Sequence, residues 1–77
     1  MSKQVFPKNI GQYVKFFQAI SDESRQKILL LLEKKSLSVN EISELAGLSQ
    51  PNTSSHLSVL KNAGLVQADK KGNNVIY

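Results

Sequence analysis

Ser49-Gln50-Pro51-Asn52-Thr53-Ser54-Ser55-His56-Leu57-Ser58-Val59-Leu60-Lys61-Asn62-Ala63-Gly64-Leu65-Val66 reads as a capped helix with one apolar edge and an opposite face of small hydrogen-bonding side chains. Ser49 offers a side-chain oxygen where an N-cap is needed, and Gly64 is a natural C-terminal stop. Thr53, Leu57 and Leu60 recur at helical spacing and make the buried edge. Gln50, Pro51, Ser54, Ser55 and Ser58 then face away. Almost no charge lies on that outer face, so it would be a poor solvated surface. Its donors and acceptors suit a DNA groove instead. Gln holds adenine bidentately, Ser donates or accepts at several base edges, and the N-terminal part of a recognition helix is the part that meets bases.

Upstream, Ser38-Val39-Asn40-Glu41 matches a capping box and predicts a short helix over 39–46, with Ile42, Leu45 and Ala46 inward and Gly47 at its end. Only Leu48 and Ser49 separate it from the helix at 50–63, a spacing that makes a helix-turn-helix. Before it, Ser21 and Asp22 supply capping oxygens and Glu23 favours a first turn, so a helix is predicted over 22–34. Ile28, Leu29 and Leu32 share one face, Leu30 points almost the opposite way and Leu31 lies between. This helix is expected at the centre of the core, closed by Lys34 and Lys35 near its negative end. A first helix over 9–20 follows from Ile10, Tyr13, Val14, Phe17 and Ile20. Phe17 on that stripe is expected in the core, while Phe16 at its edge is the better interface candidate. Tyr13, Phe16 and Phe17 together mark the expected contact with a second subunit.

Downstream the period changes. Leu65, Val66 and Ala68, then Val75, Ile76 and Tyr77, predict strands at 65–69 and 74–77 around the polar run Asp69-Lys70-Lys71-Gly72-Asn73-Asn74. The expectation is therefore a mainly α fold with a small β-hairpin, a winged helix-turn-helix over 9–77 preceded by an arm at 1–8. The basic tip suits phosphates or the adjacent minor groove. Taken alone, Lys70 and Lys71 also fit a merely solvated hairpin tip.

Composition sets the outer bounds. The 77 residues allow one small domain whose marginal core would gain from a partner subunit. A formal charge of +4 and a pI near 9.6 favour polyanionic partners. The absence of cysteine excludes disulfide scaffolds, thiolate nucleophiles and thiolate metal sites. Neither a leader pattern nor an apolar run of membrane-spanning length is present, so no membrane partner is expected and the cytoplasm is the expected location. His56 is compatible with a DNA-backbone contact, with packing beside Leu60 and Ala63, or with metal, for which it lacks partner ligands. Ser54 and Ser55 have no second His and no acidic residue at a recognisable spacing, so no catalytic residue, metal site or cofactor is assigned.

Three blocks resemble the ArsR family of transcriptional regulators: Ala19-Ile20-Ser21-Asp22-Glu23-Ser24-Arg25; Leu37-Ser38-Val39-Asn40-Glu41-Ile42; and Leu48-Ser49-Gln50-Pro51 running on through His56-Leu57, Val59-Leu60 and Ala63-Gly64-Leu65-Val66. The resemblance covers roughly Phe16 to Tyr77 and implies a homodimeric repressor that binds a two-fold symmetric operator and releases it when an effector binds. Three departures qualify it. Where metal-sensing relatives carry a cysteine pair in the third helix, this chain has Ser38 and Asn40, which offer no thiolate. The family's other common metal site lies on a helix after the wing, which this sequence does not reach. Either the chain is part of a longer one, or dimerisation falls on the first helix. Relatives often place Arg or Lys where Ser55 and Ser58 stand, so binding is expected to lean more on the wing.

The resulting expectation is a sequence-specific regulator of double-stranded DNA, a repressor, not an enzyme. Gln50, Asn52, Ser54, Ser55 and Ser58, with Pro51 and His56 beside them, would lie at the DNA. Lys61, Lys70, Lys71, Asn73 and Asn74 would hold phosphates. The rival from another class is a winged-helix module that binds protein through its Ser-rich face, since fold alone does not fix function.

Overall fold

The computed structural model describes residues 10–72 and 74–77. The expected arm at 1–8, the first residue of the expected first helix and Asn73 therefore lie outside the described residues. Four helices, α1 (Ile10–Ile20), α2 (Glu23–Lys34), α3 (Val39–Ala46) and α4 (Gln50–Asn62), precede a hairpin of β1 (Asp69–Lys71) and β2 (Asn74–Ile76).

Local chemistry sets these boundaries. Asp22 caps α2 by accepting the Arg25 backbone N–H at 3.0 Å. Ser38 and Glu41 form the reciprocal capping box of α3: Ser38 Oγ accepts the Glu41 N–H at 3.2 Å, and Glu41 Oε1 accepts the Ser38 N–H at 2.9 Å. At the end of α4, Gly64 takes φ +78°, which lets its own N–H reach the Lys61 carbonyl at 2.9 Å and the Leu65 N–H reach that of Leu60 at 2.9 Å. This is a Schellman ending, and a left-handed residue there is easiest for glycine.

The core is drawn from every helix. Ala19, Ile28, Ile42, Leu57 and Leu60 are fully buried, with Leu37 from the α2–α3 connection beside them. The edge expected on α4 is observed, since Thr53 is buried together with Leu57 and Leu60. Thr53 carries a hydroxyl into this apolar setting, and donating it to the Ser49 carbonyl at 2.8 Å removes the cost of an unpaired polar group.

Three expectations are corrected. Phe17 is not in the core: it is 59% exposed. Small Ala19, on the other side of α1, is the residue that lets this helix approach its neighbours, so the stripe Ile10, Tyr13, Val14 and Phe17 looks outward. Leu45 is 60% exposed. The buried side of α3 is turned toward Ser43, which lies beside Ile42 with Val39 and Ala46 and leaves Leu45 on the far edge. Ser43 tolerates this burial because its hydroxyl donates to the Asn40 carbonyl at 3.0 Å. Finally, β1 begins at Asp69 rather than Leu65. Leu65 and Val66 are spent on packing against the core. The tight turn pairs Lys71 with Asn74, so the partners of β2 can only be residues 69–71.

The hairpin is tied to the helices by backbone. Leu37 and Tyr77 exchange two hydrogen bonds, of 3.1 and 2.8 Å, and Ser38 bridges Ile76 in antiparallel fashion. The α2–α3 connection thus serves as a third, minimal strand beside β2. A lone Leu37 between helices gave no periodicity from which to read it.

The caps make stability depend on acid. The backbone N–H of Arg25 is the largest influence holding the Asp22 carboxyl below its ordinary range, and the Arg25 charge adds to it against some desolvation. For Glu41 the backbone N–H of Ser38 acts first, again against some desolvation. Both groups bind protons less readily folded than unfolded. Their contribution is complete above the ordinary carboxylate range and is lost as pH falls through the folded values. The urea midpoint should therefore drop between about pH 5 and pH 2. In Asp22→Asn, which still caps but does not titrate, the drop should be shallower; an unchanged acid slope would remove Asp22 from this account.

Candidate nucleic-acid interface

The outer side of α4 follows from its inner side. With Thr53, Leu57 and Leu60 packed down, Gln50, Pro51, Asn52, Ser54, Ser55, Ser58 and Lys61 are all exposed. Gln50, Ser54 and Ser58 stand one above the other at four-residue steps, with Pro51 and Ser55 beside them. Ser49 caps the helix by accepting the Asn52 N–H at 3.2 Å, and Pro51 in the first turn gives up no hydrogen bond there. No acidic residue stands in that turn. The positive end of the helix dipole is therefore uncompensated and favours an anion such as phosphate.

The side chain of Gln50 is not loose. Its Nε2 donates to Oδ1 of Asn40, on the first turn of α3. Ser38 is thus occupied in capping α3 and Asn40 in holding Gln50. Among the described residues no group of three or more His, Cys, Asp or Glu side chains lies together as a metal site requires.

His56 is half-buried, and its Nδ1 lies 3.2 Å from Nη1 of Arg25 and 4.0 Å from the Asp22 carboxylate. A guanidinium only donates, so Nδ1 is the acceptor in this contact. Arg25 does more than orient this ring. Its Nε donates to the Ala19 carbonyl at 2.9 Å and its Nη2 to that of Gln18 at 3.0 Å, satisfying the end of α1. One side chain on α2 thus joins α1 to α4. Sequence reading assigned Arg25 no role. The available signal was a cation in the first turn of a helix, where the dipole disfavours it unless something else holds it.

On the wing, Lys70 and Lys71 are exposed, and Gly72 takes φ +62° at the turn. Asn74 pairs with Lys71 through the backbone; its side chain and all of Asn73 lie outside the described set. On α1, Tyr13, Phe16 and Phe17 are 47%, 36% and 59% exposed. With Gln12 and with Ala63 at the end of α4 they line an apolar groove of about 350 Å³. No helix among the described residues is long and apolar enough to cross a membrane.

Four helices, a small antiparallel wing and a helix face of uncharged hydrogen-bonding groups define a winged helix-turn-helix DNA-binding domain. Comparison with known proteins narrows this class. Residues 22–68 match the family described as bacterial regulatory protein, arsR family. The transcriptional repressor SdpR of Bacillus subtilis is 39% identical over 61 residues, 79% of this chain and 68% of SdpR. The transcriptional activator HlyU of Vibrio cholerae is 38% identical over 77 residues, 100% of this chain and 71% of HlyU. The HlyU structure superposes with a TM-score of 0.82 over 94% of this chain and 78% of that one. The homodimeric winged helix-turn-helix DNA-binding domain Mb0332 of Mycobacterium bovis, 29% identical, superposes with a TM-score of 0.87 over 100% of this chain and 73% of that fragment. The chain belongs to the arsR family and is a DNA-binding transcriptional regulator.

Proposed function

We propose that this protein represses transcription in the cytoplasm as a homodimer on a two-fold symmetric operator, placing α4 of each subunit in the major groove and each wing on phosphates or in the adjacent minor groove. The observation that carries this reading is the outer face of α4, where Gln50, Asn52, Ser54, Ser55 and Ser58 present donors and acceptors outward from a buried edge. Gln50 and the serines meet base edges. Lys61, Lys70, Lys71, Asn73 and Asn74 hold phosphates, and His56 supplies a further contact to the DNA backbone. Tyr13, Phe16 and Phe17 form the contact between subunits, in line with the homodimeric state of Mb0332. The dimer sets the two reading helices about 34 Å apart, one turn of the duplex. The role is binding rather than catalysis, in line with the transcriptional regulators to which the chain is similar.

Selection of bound duplexes from a random library, followed by titration of the enriched sequence at two salt concentrations, tests the reading. An enriched inverted repeat with salt-sensitive binding is the expected result. Gln50→Ala should weaken specific binding by about 1–3 kcal/mol and relax base choice. Lys71→Ala should weaken all sequences alike and lower the salt slope by about one per subunit. The sparse cationic character of α4, with Lys61 its one Lys or Arg, favours as second reading a protein-binding module, and the absence of any enriched duplex would select it.

A further inference from the structure

We propose that Asn40 is a specificity-positioning residue: by accepting a hydrogen bond from Gln50 it fixes the amide that reads a base, although it stands on the neighbouring helix. The inference rests on the reading of Gln50 as a base contact. It starts from the bond itself, Gln50 Nε2 to Asn40 Oδ1, which spans the turn between α3 and α4.

Donor and acceptor accounting shows why this bond leaves the reading group intact. A glutamine amide has two N–H donors and one carbonyl oxygen. One N–H goes to Asn40. When Asn40 takes the N–H on the side away from the carbonyl, the remaining N–H and Oε1 are the pair that a bidentate contact with adenine requires, the first to N7 and the second from N6–H. A free glutamine on an exposed helix start samples many rotamers and loses that freedom on binding, which opposes binding. Held by Asn40, it meets the base with part of that ordering already done.

Asn40 is itself well anchored. It lies in the first turn of α3, whose start is fixed by the Ser38–Glu41 capping box. Its carbonyl accepts the hydroxyl of the buried Ser43 at 3.0 Å. The side chain has no part in the core, being exposed, so its removal leaves the packing of α3 in place. Local capping at the start of one helix is thereby converted into orientation at the start of the next.

The experiment is competition binding on the selected operator, with each position changed in turn to all four bases, for the parent protein and for Gln50→Ala, Asn40→Ala, Asn40→Asp and the double alanine variant. Asn40→Ala should relax, by about tenfold in preference, the same base position that Gln50→Ala relaxes, with binding to random duplex unchanged. The double variant should match Gln50→Ala alone, because both changes remove one unit. Asn40→Asp keeps the acceptor and should keep the base preference, while its new charge weakens all sequences alike. If Gln50→Ala relaxes one position and Asn40→Ala relaxes none, or a different one, the positioning role is overturned and the Gln50 reading stands. If Asn40→Asp relaxes the position as Asn40→Ala does, the acceptor role is overturned. If Gln50→Ala relaxes nothing, the base-reading assignment fails first and the positioning role with it.

Discussion

Phe17→Glu is expected to convert the protein to a folded monomer and to lower operator affinity by a factor of about 10² to 10⁴, the gain that a second linked half-site normally confers. The side chain is 59% exposed, so the monomer loses little packing. It stands in a stripe with Ile10, Tyr13 and Val14, all more than two-fifths exposed, which supports the proposal that this apolar face is the subunit contact. In a two-fold contact each substitution appears twice on a self-complementary patch, so one change introduces two carboxylates at a desolvated interface. Sedimentation should show the monomer, circular dichroism should retain the parental helix signal, and half-site binding should survive weakly. A Phe17→Glu protein that still sediments as a dimer would move the subunit contact off α1.

The second large effect concerns the core. Leu57→Ala removes a fully buried side chain from the inner edge of α4, in the cluster that includes Ile28, Ile42 and Leu60. Large-to-small changes at such sites cost about 2–5 kcal/mol. Against a total of about 5–15 kcal/mol for a typical domain, that is a severe loss. Thermal unfolding should shift down by roughly 10–30 °C for a chain of this size. Leu45→Ala provides the contrast: at 60% exposure it should stay within about 0.5 kcal/mol of the parent. A comparable shift in both variants would contradict the orientation found for α3.

Most of the fold was readable because its signals are local. Asp22, Ser38 and Ser49 each cap the helix that follows them, and Gly47 and Gly64 each end one, since caps depend on a few consecutive residues. The edge of α4 was readable for a related reason: Thr53, Leu57 and Leu60 repeat with the helix. What escaped depends on partners distant in sequence. A stripe on α1 has the same period whether it faces its own core or another molecule, and only tertiary packing shows that Ala19 is the inward residue. Leu45 was misplaced because the rotation of a short helix is decided by its neighbours and by a hydroxyl that satisfies itself. Arg25 and Asn40 are separated from their partners His56 and Gln50 by 31 and 10 residues, and nothing in local propensity encodes such pairs. The hairpin was recognised but its first strand was set too early, as apolar composition alone does not distinguish pairing from packing.

The mutual bonds of Leu37 and Tyr77 use only main-chain groups. The hydrogen bonds that attach the wing are therefore independent of side-chain identity, while the buried Leu37 side chain anchors the same point in the core; nearer the tip, Lys70 and Lys71 are exposed. The hairpin works like a tool held in a chuck: its working end can be exchanged without recutting the shank. Under the proposed function, variation at Lys70 and Lys71 should retune how strongly phosphates are gripped while the mount stays where the helices put it. New grip strengths thus become accessible by changes that leave the folding of the rest untouched.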